Sequence, residues 1–275
     1  MVKSGIILVD KPRGPSSHQT AAWVGEILHT AVGHSGTLDP QVSGVLVVMT
    51  GKAVKLAPLL LQHEKEYIAC LRLHADVDRE TVETVVRGFT GRVYQRPPRR
   101  SAVKRSLRIR VIHRIEVLDM QGRLVLLRVR CEAGTYIRSL CVHIGNVLGC
   151  GAQMIELRRT MSGGFTAEQA HTLQEIRDAA EEGRADELIL PPESAISDIP
   201  KIVIRDGAAD AVYHGATLAV PGILSHDEFS KNQSVALVTQ AGKLVALAEA
   251  LQNSSQLVPG GHGFAARSLR VFAGE

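Results

Sequence analysis

The sequence predicts an α+β protein in two parts, a larger portion from 1 to 197 and a strand-rich portion from 198 to 275. Up to about residue 190, apolar runs of strand length alternate with stretches of helical spacing. From about Thr172 the composition turns acidic and then proline-rich, ending in "LPPESAISDIP", the mark of a boundary near Ala195 to Pro200. Beyond it, short apolar runs alternate with glycine-rich turns over about 75 residues, the pattern of a small β-barrel or sandwich.

The elements follow in order. Residues 5–9, "GIILV", read as a buried strand that stops at the turn "DKPRGPSSH". Gln19 to Leu28 is helical by the spacing of Ala22, Val24, Ile27 and Leu28, with Ser16 or Ser17 as cap. The apolar run Val45 to Met49 precedes a short helix over Lys52 to Leu61, and Glu66 to His74 alternates as a strand. Arg92 to Arg114 carries nine cations and no acid, interrupted by Pro97 and Pro98. "RLVLLRVRCEA" is strand-like, and "TYIRSLCVHIGNVLG" has helical spacing at Ile137, Leu140, Cys141, Ile144 and Leu148.

Composition sets limits on function. The chain has 275 residues, 45% of them hydrophobic, but only 5 Phe, 4 Tyr and 1 Trp, so aliphatic side chains must fill the core. A net charge of +4 permits an anionic partner without requiring one. No apolar run approaches the roughly 20 residues that cross a bilayer. The start, "MVKSGIILVDKP", reaches an aspartate and a lysine too early for a secretory signal. Cys70, Cys131, Cys141 and Cys150 form no CxxC pair and sit beside apolar residues, as reduced, partly buried thiols of a cytoplasmic protein do. No phosphate-loop or GxSxG spacing is present, and the histidines offer no metal-ligand spacing.

Several side chains are candidates on their own chemistry. In "AVGHSGTLDPQVSG", Pro40 restricts Asp39 to extended backbone, while Gly36 and Gly44 permit the bends on either side. The stretch is either an Asx-type turn, in which Asp39 bonds its own backbone, or a cradle that presents one carboxylate. His34 is a turn residue or part of that cradle. The basic tract is either a solvated loop or a grip on a phosphate backbone, which rewards unpaired Lys and Arg through counterion release. Arg138, beside an apolar helix face, either snorkels over the core or turns inward to hold a carboxylate. Tyr67 is either a core or edge aromatic or a stacking plate for a base.

Five ordered blocks resemble the motifs of the TruB family of pseudouridine synthases: "ILVDKPRGPSSHQTAAWV", "VGHSGTLDPQVSGVLVV", "KEYIACLRLH", "EAGTYIRSLCVHIG" and "MIELRRTMSGGF". They span about residues 5–170. The segment "QRPPRRSAVKRSLRIRVIHR" resembles the archaeal and eukaryotic dyskerin-like branch, the catalytic subunit of box H/ACA ribonucleoproteins. "IPKIVIRDGAADAVYHGATLAVPGIL" is similar to that branch's PUA domain, a small RNA-binding β-barrel.

The resemblance implies a catalytic domain on a mixed, largely antiparallel sheet with flanking helices, followed by the PUA barrel. It makes Asp39 the catalytic aspartate, with His34, Tyr67, Arg138 and Leu157 positioning the substrate. His34 would help place the flipped nucleotide, Tyr67 stack on the target base, Arg138 pair with Asp39, and Leu157 line the uracil pocket. Lys11 and Pro12 would pack near the site. Arg92 to Arg108 would be the loop that clamps RNA, with Arg99, Arg100, Lys104 and Arg105 in contact. The reaction it implies is an isomerisation, so no metal, nucleotide cofactor or redox partner is required. The implied partners are tRNA, rRNA, a box H/ACA guide RNA and small accessory proteins, with no membrane. Relatives of this branch carry an N-terminal extension before the "DKP" block and a tighter C-terminal ending than "GHGFAARSLRVFAGE". The short length and missing tails point to an archaeal source.

Overall fold

A nine-stranded mixed sheet organises the first of two compact units. The computed structural model describes residues 2–97, 106–258 and 260–272. The first unit consists mainly of Ile7–Met49 and Ala57–Leu188, and the second of Lys3–Ile6, Thr50–Leu56 and the residues from Ile189 onward.

The chain opens with β1 (Gly5–Lys11), α1 (Ser17–Leu28), β2 (Val32–Ser35) and β3 (Ser43–Thr50). Ser16 caps α1 by accepting from the Gln19 N–H, and His29 ends it in the left-handed region at φ 48°. A 3-10 turn over Gly51–Leu56 precedes α2 (Ala57–Gln62), so the helix expected over Lys52 to Leu61 is split. Pro58 lies at the junction and has no N–H to give the preceding turn, which stops one helix from running through. Next come β4 (Lys65–Leu73), α3 (Arg79–Arg87), β5 (Gly91–Gln95), β6 (Arg108–Gln121) and β7 (Leu124–Cys131). The unit finishes with α4 (Ile137–Val147), β8 (Ala152–Ser162), β9 (Phe165–Thr166) and α5 (Leu173–Glu181).

The strand order is β1-β3-β8-β4-β7-β6-β5, with β2 against β3 and β9 against β8. β3 and β8 pair in parallel; β4 pairs antiparallel with both β8 and β7, and β6 with β7 and β5. The main apolar core lies on one side of β4 and β7, where Ala69, Leu71, Leu127 and Val129 meet Val82 and Val86 of α3 and Leu140 and Ile144 of α4. A second cluster joins Ile7, Val9, Leu46 and Val48 to Val24 and Leu28 of α1 and Ile176 of α5.

The basic tract differs from its expectation as a loop. β5 and β6 form an antiparallel hairpin in register from Gly91↔Ile112 to Gln95↔Arg108. Strand alternation explains it: Arg92, Tyr94 and Arg96 are exposed while Gln95 is buried, so a charge count conceals a period of two. Nor is the tract wholly without counter-acids, because Arg110 meets Glu132 at 3.3 Å and Arg114 meets Glu116 at 2.8 Å. Arg99, Arg100, Lys104 and Arg105 lie outside the described residues. All four cysteines are free thiols, Cys131 and Cys141 buried, Cys70 and Cys150 partly so.

The second unit holds β10 (Lys201–Ile204), α6 (Asp206–Tyr213), β11 (Leu218–Ala219), β12 (Ile223–His226), β13 (Ser234–Val238), β14 (Leu244–Ala250) and β15 (Phe264–Val271). Its sheet runs β11-β15-β14-β13-β10-β12, and β10 lies parallel to β13. The two end strands, β11 and β12, are joined by the single 3-10 turn Val220–Gly222, which leaves a nearly closed, barrel-like sheet. Ile202, Leu237 and Val245 fill it together with the small Ala248, Ala250, Ala265 and Ala266.

Two positions in the first unit generate predictions. Gly44 (φ +108°) pairs with Arg159, and a Cβ there would stand 2.1 Å from the Arg159 carbonyl oxygen. Gly44→Ala is therefore expected to destabilise the chain by about 3 kcal/mol or more, read as a lowered urea midpoint. Lys65, 4% exposed, donates from Nζ to the carbonyls of Leu60 and His63 at 3.2 and 2.6 Å, tying down the end of α2. Burial, reinforced by the Arg159 charge, lowers its pKa from 10.5 to about 8. The folded chain thus releases this proton before the unfolded chain does, and between those two values the unfolded state binds more protons. Stability contributed at Lys65 should rise with pH through that window. Urea midpoints of Lys65→Met against the parent chain should diverge as pH rises from about 8 to about 10.

Candidate active site

The turn that carries Asp39 is anchored on both sides. Leu38 and Val42, each 3% exposed, sink into the main core, and the Val42 N–H donates to the Asp39 carbonyl at 2.9 Å. The Ser17 hydroxyl, at the first turn of α1, accepts from the Leu38 N–H at 2.7 Å and donates to the Leu38 carbonyl at 3.0 Å. The Gly14 N–H reaches the Pro40 carbonyl at 2.8 Å. With its backbone held at these points, the Asp39 side chain projects outward, 64% exposed, and accepts from Arg138 Nη2 at 3.2 Å. The two readings of this stretch are thereby resolved geometrically. The turn is closed by main chain, and the carboxylate goes to a guanidinium.

Arg138 is the second residue of α4, whose apolar face of Ile137, Leu140, Cys141 and Ile144 is buried as the spacing predicts. Tyr136 is the N-cap residue of the helix, and its side chain makes no capping hydrogen bond. The buried amide of Gln95 supports it instead, donating to the Tyr136 carbonyl at 3.1 Å and accepting from its N–H at 2.9 Å.

Behind the carboxylate lies a cation that the sequence reading passed over. Arg159, 1% exposed, donates from Nε to the Val45 carbonyl at 2.8 Å and from Nη2 to the Gly36 carbonyl at 2.9 Å. It stands opposite Tyr67 in the β4–β8 register, and its charge acts on the phenol oxygen. Burial pushes the Tyr67 hydroxyl up and the Arg159 guanidinium down, and their contact opposes both shifts. Gly36 adopts φ +75°, and a Cβ there would meet Arg159 Nη1 at 3.1 Å. Small size as well as backbone freedom therefore selects glycine at this position.

The other polar groups feel the same charge. Lys11, fully buried, donates to the carbonyls of Pro12 and Val42, both at 2.8 Å. Its pKa is lowered by burial, restored in part by Asp39, and lowered again by Arg159. His34 in β2 is lowered by burial, His18 and Arg159, which favours the neutral imidazole. Its buried Nδ1 has no hydrogen-bond partner among the described residues. Leu157 lies on β8, 7% exposed, in register with Ala69 and in one cluster with Leu38 and Tyr67.

Asp39 and Arg138 are thus in direct contact, while Tyr67 and His34 are linked to the site through Arg159. Arg159, Lys65, Ser17 and Gln95 carry the support and were not singled out from sequence. A signal for Arg159 existed, because it lies two residues after Leu157 on one strand and so shares its inward face. Its neighbour Arg158 points the other way and binds Asp10 through two bonds of 2.9 Å.

Comparison with known proteins places the chain in a family. Residues 26–137 match the N-terminal domain of TruB family pseudouridylate synthases, 138–197 a tRNA pseudouridylate synthase B C-terminal domain, and 200–272 a PUA domain. A probable tRNA pseudouridine synthase B of Methanosarcina barkeri is 48% identical over 98% of this chain and 82% of its own length. The corresponding protein of Archaeoglobus fulgidus is 46% identical, over 98% of this chain and 86% of its own. A crystal structure of a Cbf5-Nop10-Gar1 complex superposes with a TM-score of 0.92 at 46% identity, over 98% of this chain and 85% of the matched one. An H/ACA ribonucleoprotein bound to a substrate RNA containing 2′-deoxyuridine gives 0.91 at 43% identity, over 98% and 85%. An exposed aspartate paired with an arginine, a tyrosine opposite a buried cation and a matching fold across nearly the whole chain lead to one assignment: the protein belongs to the TruB family of pseudouridine synthases.

Proposed function

We propose that this chain isomerises uridine to pseudouridine in rRNA, as the catalytic subunit of a box H/ACA guide ribonucleoprotein, and at uridine 55 in the T-loop of tRNA. The observation that carries the reading is the Asp39–Arg138 pair at 3.2 Å, an outward-facing carboxylate on a backbone held from several sides. Similar proteins named for tRNA support the second substrate, and similar structures holding Nop10, Gar1 and substrate RNA support the first. Small accessory proteins and a guide RNA are the partners of the ribonucleoprotein form, and the cytoplasm is its place. Among the described residues no helix is long and apolar enough to cross a membrane.

A uridine in structured RNA must leave its stack before a side chain reaches its sugar, at a cost of a few kcal/mol. Tyr67 offers a plate that offsets part of this cost, with the Arg159 charge acting on its oxygen. Asp39, ionised, attacks the sugar or removes a proton from it. The N1–C1′ bond breaks and the uracil turns within a pocket bounded by Leu157; a C5–C1′ bond then forms as Asp39 leaves C1′ or returns the sugar proton, C5 gives up its proton to solvent and N1 gains one. Arg138 holds the carboxylate in place by a charge-assisted hydrogen bond. The neutral His34 helps place the extruded nucleotide.

Asp39→Asn should abolish release of tritium from 5-tritiated uridine in RNA while leaving RNA affinity within about twofold, since an amide can neither attack nor accept the proton. An active Asn variant would remove the assignment. The purified chain with a tRNA transcript, with and without guide RNA and accessory proteins, separates the two substrates. Neutralising Arg99, Arg100, Lys104 and Arg105 together should weaken binding and reduce the slope of log K against log salt by about 0.7 for each lost single-strand phosphate contact. A filter-binding titration reads it, and an unchanged slope rejects the clamp.

A further inference from the structure

The two strands of the basic hairpin are both hydrogen-bonded to the segment that leads into α4 and Arg138. From β5, Gln95 (1% exposed) makes its reciprocal pair with Tyr136 at 3.1 and 2.9 Å. From β6, the Val111 N–H donates to Glu132 Oε2 at 3.1 Å, and Arg110 meets Glu132 Oε1 at 3.3 Å. Thr135 ties the same segment internally by donating to the Glu132 carbonyl at 2.7 Å. Arg138 follows Tyr136 by two residues and holds Asp39. The alternation of β5 gives its other face a different task. Arg92, Tyr94 and Arg96 are exposed on the side away from Gln95, with Ile109 paired across from Tyr94. Two cations separated by one exposed aromatic suit a single nucleic-acid strand, which such a face meets by charge and by stacking.

We propose that Gln95 is a positioning residue that couples RNA held on the Arg92–Tyr94–Arg96 face to the setting of Arg138 against Asp39. It lies between the two faces of one strand, one residue from Tyr94 and Arg96 and one bidentate contact from the cap of α4. A buried amide that satisfies both backbone groups of one residue resists sliding in either direction. Docking RNA on the outer face therefore loads the helix start through Gln95, and binding energy gained away from the reacting uridine is used at the catalytic pair. This rests on the reading of the site as a pseudouridine synthase.

The test uses single-turnover tritium release and RNA affinity, under whichever condition with tRNA or with guide and accessory proteins gives turnover by the parent chain. Gln95→Leu should lower the single-turnover rate roughly tenfold to hundredfold with RNA affinity nearly unchanged. Gln95→Glu keeps an acceptor for the Tyr136 N–H and should lie between, which guards against loss of fold in the Leu variant. Arg92→Ser, Tyr94→Ser and Arg96→Ser combined should lower both affinity and saturated rate in the parent chain. In the Gln95→Leu background the same triple change should lower affinity alone. Such non-additivity in rate is the result a merely structural glutamine would not give. Independent, multiplying effects on the saturated rate overturn the coupling while the synthase reading stands, as does an unchanged rate in Gln95→Leu. Absence of tritium release from the parent chain in every condition overturns the synthase reading and the coupling with it.

Discussion

The site depends on burying one guanidinium. Taking Arg159 out of water is costly, and it is tolerated here because the Val45 and Gly36 carbonyls accept from it and the Tyr67 phenol stands opposite it in register. Those three groups belong to three different elements: the parallel strand beside β8, the turn before Asp39, and the antiparallel strand on the other side. Burial first, and the Arg159 charge after it, lowers the pKa values of Lys11 and His34 from their ordinary values. The exposed Asp39–Arg138 pair, by contrast, contributes little to stability, as solvent-facing ion pairs generally do. Its value lies in orientation.

Much of the fold was legible because burial follows periodicity. The strand at the start, the strand around Tyr67 and the helix around Ile144 have their inward residues at the expected spacing, while the capped helix after Ser16 buries Val24 and Leu28 as expected but Thr20 and Ala21 in place of Ala22 and Ile27. What escaped is instructive in physical terms. The β5–β6 hairpin hid behind its charges, since the outer face of a strand can be wholly cationic while the inner face pairs. A single helix over Lys52 to Leu61 ignored what Pro58 does to the turn before it. The membership of Lys3–Ile6 and Thr50–Leu56 in the second unit depends on long-range contact, which no local pattern encodes.

The site shows the same division. Asp39, Tyr67 and Arg138 were candidates on their own chemistry, but only motif resemblance gave them roles; on stereochemistry alone the Asp39 stretch reads as an Asx turn before it reads as a site. Arg159 and Gln95 are the converse, modest in sequence and decisive in space. A buried arginine two residues after Leu157 on a strand looks like an interruption of the pattern until the carbonyls it donates to are seen. Gln95, flanked by exposed cations, looks like one more polar residue of a basic tract until its amide is found closing both backbone bonds of Tyr136. Polar residues that support a site from inside carry no signature of their own.

The bond from Arg159 to the Val45 carbonyl spans 114 residues of sequence, and the parallel pairing of β3 with β8, as in Gly44↔Arg159, joins residues similarly far apart. Contacts of such separation form late, because the intervening loop must lose its freedom before any return is gained. On a ribosome adding roughly 5–20 residues per second, Asp39 would be outside the exit tunnel for on the order of ten seconds before its brace has even been synthesised. The aspartate and its local anchors are thus made well before the strand that carries Arg159, and the site is complete only once β8 has taken its place beside β3.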